Sequence, residues 1–303
     1  MVTIERILCP VDLELDFCNN APSYAAALAR AYNARLIVLA CADEGHAGAG
    51  EEMRRGIESL VKSNGADDLD WEGLVVKASS PAEAITREAA ERRADLIVMC
   101  SRRRPLRAAL LGSTAEEVCR AAPCPVFVTH PDLENGADVI KFKRIMVAHD
   151  FSDYSEMALK YAISLAQEHQ AELHLLHVLN TPLIVEPELT WVPSSVEGSY
   201  HKAARALQKA VPPEAYLWCS VTNVVRWGKP YREILAYAKE QQIDLVCMGE
   251  HGSGFGMNAL FGSNVDRVLR QSPCPVLVAR ALKHSYASEK TSNILASERK
   301  AFA

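Results

Sequence analysis

Met248-Gly249-Glu250-His251-Gly252-Ser253-Gly254-Phe255-Gly256-Met257-Asn258-Ala259-Leu260-Phe261-Gly262-Ser263-Asn264-Val265 joins two apolar segments of different period. Before it, Ile243-Asp244-Leu245-Val246-Cys247 reads as a short buried strand. After it, Val265-Asp266-Arg267-Val268-Leu269 carries the apolar spacing of a helix. Gly249, Gly252, Gly254, Gly256 and Gly262 therefore lie between a strand and a helix start. Glycines let a chain turn with φ > 0 and let an anion approach main-chain N–H groups. The helix start at Gly262-Ser263-Asn264 adds free N–H donors and the positive end of a helix dipole. Phosphate is the natural ligand of such a place; the alternative is a glycine-rich surface loop with no ligand.

Working outward, the segments flanking this stretch occur twice. Glu5-Arg6-Ile7-Leu8-Cys9-Pro10-Val11-Asp12 matches Lys143-Arg144-Ile145-Met146-Val147-Ala148-His149-Asp150, at an offset of 138 residues. Residues 28–39 match 165–176, Pro81-Ala82-Glu83-Ala84-Ile85 matches Pro230-Tyr231-Arg232-Glu233-Ile234, and Asp95-Leu96-Ile97-Val98-Met99 matches Asp244-Leu245-Val246-Cys247-Met248. Ala122-Pro123-Cys124-Pro125-Val126 matches Ser272-Pro273-Cys274-Pro275-Val276 at an offset of 150. The blocks keep their order, so the chain is a tandem duplication, each copy long enough to close its own core. The copies are assigned to residues 1–136 and 141–282, with a polar tail at 283–303.

In the first copy, strands are predicted at 6–11, 36–41, 71–78, 95–100 and 126–129. Helices are predicted at 21–32, 51–63, from Pro81, and at 113–120. Strand and helix alternate, which calls for a parallel sheet with helices on both faces. In such sheets a ligand sits at the carboxyl ends of the strands, where strand order reverses. The second copy carries an insertion at 180–198 with Leu183, Ile184, Val185, Leu189 and Trp191, read as an irregular loop or a lid.

Composition narrows the function. A net charge of −5 gives no whole-protein basic field, so duplex nucleic acid is not expected as a partner. The apolar runs are strand-length, so no membrane span is expected. Nine cysteines, with no C-x-x-C pair, read as reduced core thiols of a cytoplasmic protein.

These residues resemble the universal stress protein family, two of whose domains would stand in one chain. The resemblance implies a five-stranded parallel doubly wound α/β fold in each copy, with strand order 3-2-1-4-5. The ATP-binding branch of that family has G-x-x-G-x9-G-[ST], and here Gly249 and Gly252 precede Gly262 and Ser263 at that spacing. The resemblance implies that main-chain groups of Gly249, Gly252, Gly262, Ser263, Asn264 and Val265 hold the phosphates of ATP or AMP. It places adenosine on Asp150 and the base on Val178, and it accounts for Met248 and His251 as parts of a Met-Gly-x-His-Gly pattern. Mg²⁺ is the expected companion of ATP, and a dimer of whole chains is expected beyond the pseudo-symmetric pair. Asp150 also stands near a helix start, although Ser152 and Asp153 suit an N-cap better.

The first copy departs from this pattern. Cys100-Ser101-Arg102-Arg103-Arg104-Pro105 replaces the early glycines, while Asp12 and Gly112-Ser113-Thr114 remain. Arginine side chains keep a triphosphate from the backbone, so ATP is assigned to the second copy only. No G-x-S-x-G elbow and no P-loop lysine is present, so no catalytic residue is assigned and at most slow ATP hydrolysis is expected. The alternative is a stress-related carrier or interaction protein whose second-copy crevice holds either zinc, on His149, His177 and His251, which the topology brings to one edge of the sheet, or an apolar small molecule, to which the apolar residues of the 180–198 loop point.

Overall fold

The computed structural model describes residues 2–13, 20–42, 49–101, 112–131, 140–180, 194–252 and 262–280. The first copy runs β1 (Arg6–Val11), α1 (Asn20–Tyr32), β2 (Arg35–Ala42), α2 (Ala49–Ser63), β3 (Trp71–Lys77), α3 (Pro81–Glu91), β4 (Leu96–Cys100), α4 (Ser113–Ala121) and β5 (Val126–Thr129). The second runs β6 (Arg144–Ala148), α5 (Asp153–His169), β7 (Glu172–Leu179), α6 (Ser194–Ala210), β8 (Val221–Trp227), α7 (Pro230–Glu240), β9 (Leu245–Gly249), α8 (Ser263–Gln271) and β10 (Val276–Ala279).

Each element follows from its residues. β1, β4 and β9 are continuous apolar runs because the sheet is covered on both faces. Ile7, Leu36 and Val38 point into the layer shared with α1 and α2, while Leu8, Ile37 and Leu39 point into the layer shared with α3 and α4. Helix α3 starts as its sequence requires: Ser80 Oγ accepts the Glu83 N–H, and Pro81 occupies the first turn. An aspartate locks the start of each sheet. Asp95 Oδ2 accepts the N–H groups of Glu5 and Arg6, and Asp244 Oδ2 accepts those of Lys143 and Arg144.

The strand order within each copy is the expected 3-2-1-4-5, but the two sheets are not separate. They form one ten-stranded sheet, β3-β2-β1-β4-β5-β10-β9-β6-β7-β8. Only the central pair, β5 with β10, is antiparallel, with Val126 opposite Val278, Phe127 opposite Leu277 and Val128 opposite Val276. Phe127 and Leu277 are equivalent positions of the two copies, so a local two-fold axis passes between them. Both helix-covered layers continue across this junction. In one, Tyr24, Phe127 and Phe142 cluster with ring centres 5.2–6.2 Å apart, and Tyr32 Oη bonds Ser164 Oγ at 3.1 Å; in the other, Val126 and Val128 share a core with Val276 and Val278. The antiparallel join also turns the copies head to tail. The carboxyl edge of one sheet half is the amino edge of the other.

One expectation needs correction. Residues 194–198, taken above as the end of a loop, are the first turns of α6. That helix is anchored further on by buried Ala203 and Leu207. Once those turns are fixed, extending the helix backwards through weakly patterned residues costs little. The apolar positions 183–191 and the tail at 283–303 lie outside the described residues.

Candidate functional site

The site is built where β6, β7 and β9 end. After β6 the chain passes through His149 and Asp150, then turns sharply at Phe151, whose φ is +64°. Ser152 caps α5 by accepting the Ser155 N–H at 3.2 Å. Asp150 is therefore not the cap. Its Oδ1 accepts from the Ser152 hydroxyl at 2.6 Å and the Ser152 N–H at 3.2 Å, which fixes the carboxylate above the end of β6.

The glycines answer to that arrangement. A Cβ on Gly249 would stand 2.6 Å from the carbonyl carbon and Cβ of Tyr154, so any side chain there would push α5 off the sheet. A Cβ on Gly252 would stand 2.8 Å from Asp150 Oδ2. Gly262 donates its N–H to the Glu250 carbonyl at 3.1 Å, which pinches the two ends of the loop together. None of the three has a left-handed φ. Glycine is needed here for close approach rather than for the turn conformation expected from sequence. Helix α8 follows with no side-chain cap at Gly262, which leaves the N–H groups of its first turn without a capping side chain there. Ser263 is exposed, Asn264 half-buried and Val265 buried.

The remaining predicted residues separate. Val178 is half-buried at the end of β7, opposite Arg226 of β8. Met248 is buried in the core layer with Val246 and Val265. The His251 ring meets Tyr154 edge-on at 5.2 Å, and its Nδ1 is buried without a hydrogen-bond partner among the described residues.

The three histidines do not converge. His149 Nδ1 accepts the Phe151 N–H at 3.3 Å, while its Nε2 stands 3.3 Å from Glu156 Oε1 without hydrogen-bond alignment. Burial lowers the His149 pKa, against the raising influence of Glu156 and Asp150. His177 donates from Nδ1 to the His149 carbonyl at 2.7 Å, and its ring lies 4.5 Å from Phe151. Each imidazole is thus spent on holding the turn or on packing. Among the described residues no group of three or more His, Cys, Asp or Glu is placed to hold a metal ion.

The Universal stress protein family profile matches residues 3–130 and again residues 141–280. The chain belongs to the universal stress protein family. It is similar to universal stress protein YxiE of Bacillus subtilis (strain 168), at 33% identity over 147 residues, covering 46% of this chain and 99% of that protein. It is also 31% identical over 235 residues to a universal stress protein of Mycolicibacterium smegmatis, covering 76% of this chain and 77% of that one. Among solved structures, a functionally unknown protein from Pseudomonas aeruginosa PAO1 shares the fold at a TM-score of 0.69 and 19% identity, covering 96% of this chain and 98% of that chain.

Within this tandem universal stress protein the first domain lacks the second's arrangement. Cys100 stands where Gly249 is, and Cys41 where Val178 is. Ser101 Oγ accepts the Gly112 N–H at 3.4 Å, the role that the Glu250 carbonyl plays for Gly262. Arg102, Arg103, Arg104 and Arg107 lie outside the described residues. Sequence reasoning also missed Arg280. Its guanidinium reaches the carbonyls of Cys119 and Ala122 at the end of α4 in the other domain, and Glu250 at 2.7 Å. The only signal was a charged residue, Arg280, closing an apolar strand where the first copy has His130.

Proposed function

We propose that the second domain binds an adenine nucleotide, ATP or AMP, at the carboxyl ends of β6, β7 and β9. The protein then acts as a cytoplasmic regulator in a stress response rather than as a catalyst. One observation carries the reading. The β9–α8 turn keeps its main chain bare where a side chain would collide with Tyr154 or Asp150, and it runs into an uncapped helix N-terminus. Bare N–H groups and a helix dipole suit phosphate. In this reading the N–H groups of Ser263, Asn264 and Val265 take phosphate oxygens, Gly262 shapes the turn through its own N–H bond to the Glu250 carbonyl, Asp150 takes the ribose, and Val178 borders the base. Mg²⁺ would enter with ATP, bound to phosphate oxygens. The eight described cysteines are all free, which suits a reducing compartment, and no described helix is long and apolar enough to cross a membrane. Nucleotide bound at the α8 N-terminus changes the surface beside it, and that surface is what a protein partner reads.

Calorimetry of ATP with Mg²⁺ tests this on ligand-free protein. We expect a dissociation constant on the order of micromolar, about −8 kcal/mol. Gly252→Asp, which sets a second carboxylate against Asp150, removes the binding. No heat from the unaltered protein would overturn the reading.

A further inference from the structure

The N-terminal halves of α7 and α8 carry cations with no ion-pair partner among the described residues. The Arg267 guanidinium carbon lies 4.6 Å from the centre of the Tyr231 ring. Arg232 donates from Nε to Tyr231 Oη at 3.0 Å, with its guanidinium carbon 5.8 Å from the same ring. Lys229, just before α7, adds a third charge. Together they hold the Tyr231 phenol below its ordinary range, the Arg232 hydrogen bond first, then Arg267 and Lys229.

Three other arginines of this domain, Arg226, Arg270 and Arg280, are paired. Arg226 meets Glu233 and Glu240, Arg270 meets Asp266 and Glu116, and Arg280 meets Glu250. Asp266, next to Arg267 in sequence, is held by Arg270 at 2.6 Å instead. Among the described residues Lys229, Arg232 and Arg267 have no ion-pair partner. Like charges gathered on one ring repel unless an anion joins them. Their contacts with Tyr231 restrain both guanidinium groups, which suits them to the oxygens of a phosphate.

The cluster adjoins the glycine loop. Ser263 and Arg267 are four residues apart on α8, hence on one face, and both are exposed. Lys229 and Tyr231 begin α7 where β8 ends, on the same edge of the sheet. We propose that Lys229, Arg232 and Arg267 form a phosphate subsite beyond the α8 N-terminus, which takes the distal phosphates of the nucleotide and makes the second domain select ATP over AMP. This rests on the nucleotide reading above and deepens it.

The test is calorimetry of AMP, ATP and inorganic tripolyphosphate on the full chain and on the double variant Arg232→Gln/Arg267→Gln. Both side chains are exposed, and circular dichroism checks that the variant folds. We expect ATP to bind the unaltered protein at least about tenfold tighter than AMP, and the variant to lose most of that ratio while its AMP affinity stays within about twofold. A ratio that the variant leaves unchanged overturns the subsite, and so does a ratio near one in the unaltered protein. If neither nucleotide binds, the nucleotide reading falls on its own, and tripolyphosphate decides the cluster. Binding that the variant abolishes supports a phosphate site there, and no binding rejects it.

Discussion

Arg280 and Glu250 form an ion pair 2.7 Å long that ties the turn after β9 in one domain to the last carbonyls of α4 in the other. The head-to-tail join of the two sheet halves makes this possible, because it sets the carboxyl edge of β9 and β10 beside the carboxyl end of α4. A cation there meets the negative end of the helix dipole as well as Glu250. Arg280 is 2% exposed, so removing it leaves buried acceptors unanswered. We expect Arg280→Met to lose about 3–5 kcal/mol of stability in urea denaturation. A loss below about 1 kcal/mol, the worth of an ordinary surface pair, would show that the link is not structural.

The second expectation contrasts two glycines. Gly249→Ala places a methyl group 2.6 Å from Tyr154, part of it against backbone, and should destabilise by about 1–3 kcal/mol while weakening ATP binding. Gly198, inside α6, has nothing within 4 Å of its added Cβ. Gly198→Ala should stabilise by about 0.5–1 kcal/mol and leave ATP binding alone. Thermal melts and calorimetry on the pair check both, and equal effects from the two substitutions would refute the close-approach account.

Acid should weaken the fold through its buried histidines. Burial lowers the pKa of His149 and His174, and burial followed by Lys141 brings His169 from 6.5 to about 4. A histidine held neutral in the fold takes its proton more readily when unfolded. Its stabilising effect is therefore full above the unfolded value of 6.5 and declines as pH falls toward about 4. Urea midpoints at several pH values should fall across that window, and His169→Phe, beside Phe142, should flatten part of the slope. An unchanged slope would remove His169 from the explanation.

The shared cores predict joint unfolding. Phe127 is fully buried at the local two-fold axis and touches Tyr24 and Phe142. Phe127→Ala should cost about 3–5 kcal/mol. The unaltered chain should melt in one transition seen alike by far- and near-ultraviolet circular dichroism, because separating the halves exposes both layers. Two separated transitions in the unaltered protein would show that the halves fold independently.

Much of this was legible in the residues. The repeated blocks set two α/β units, and the period of each run set strands and helices whose bounds differ little from those observed, since local patterning and packing agree. The spacing of Gly249, Gly252, Gly262 and Ser263 marked the loop, because chain conformation and close approach restrict residue type locally. Sequence could not show why each glycine is there: the neighbours that forbid a side chain, Tyr154 and Asp150, lie about a hundred residues away.

Long-range pairing decided the rest. That β5 meets β10 antiparallel, merging two sheets into one, depends on strand edges whose sequences, Val-Phe-Val and Val-Leu-Val, name no partner. That Arg280 reaches α4 follows from that join, and that Arg267 meets Tyr231 follows from α7 and α8 lying side by side within the second domain. The sequence by itself determined the two units, their elements and the glycine spacing of the β9–α8 turn. Only the tertiary structure decided what each charge faces, because a side chain's electrostatic partner is set by distance in space.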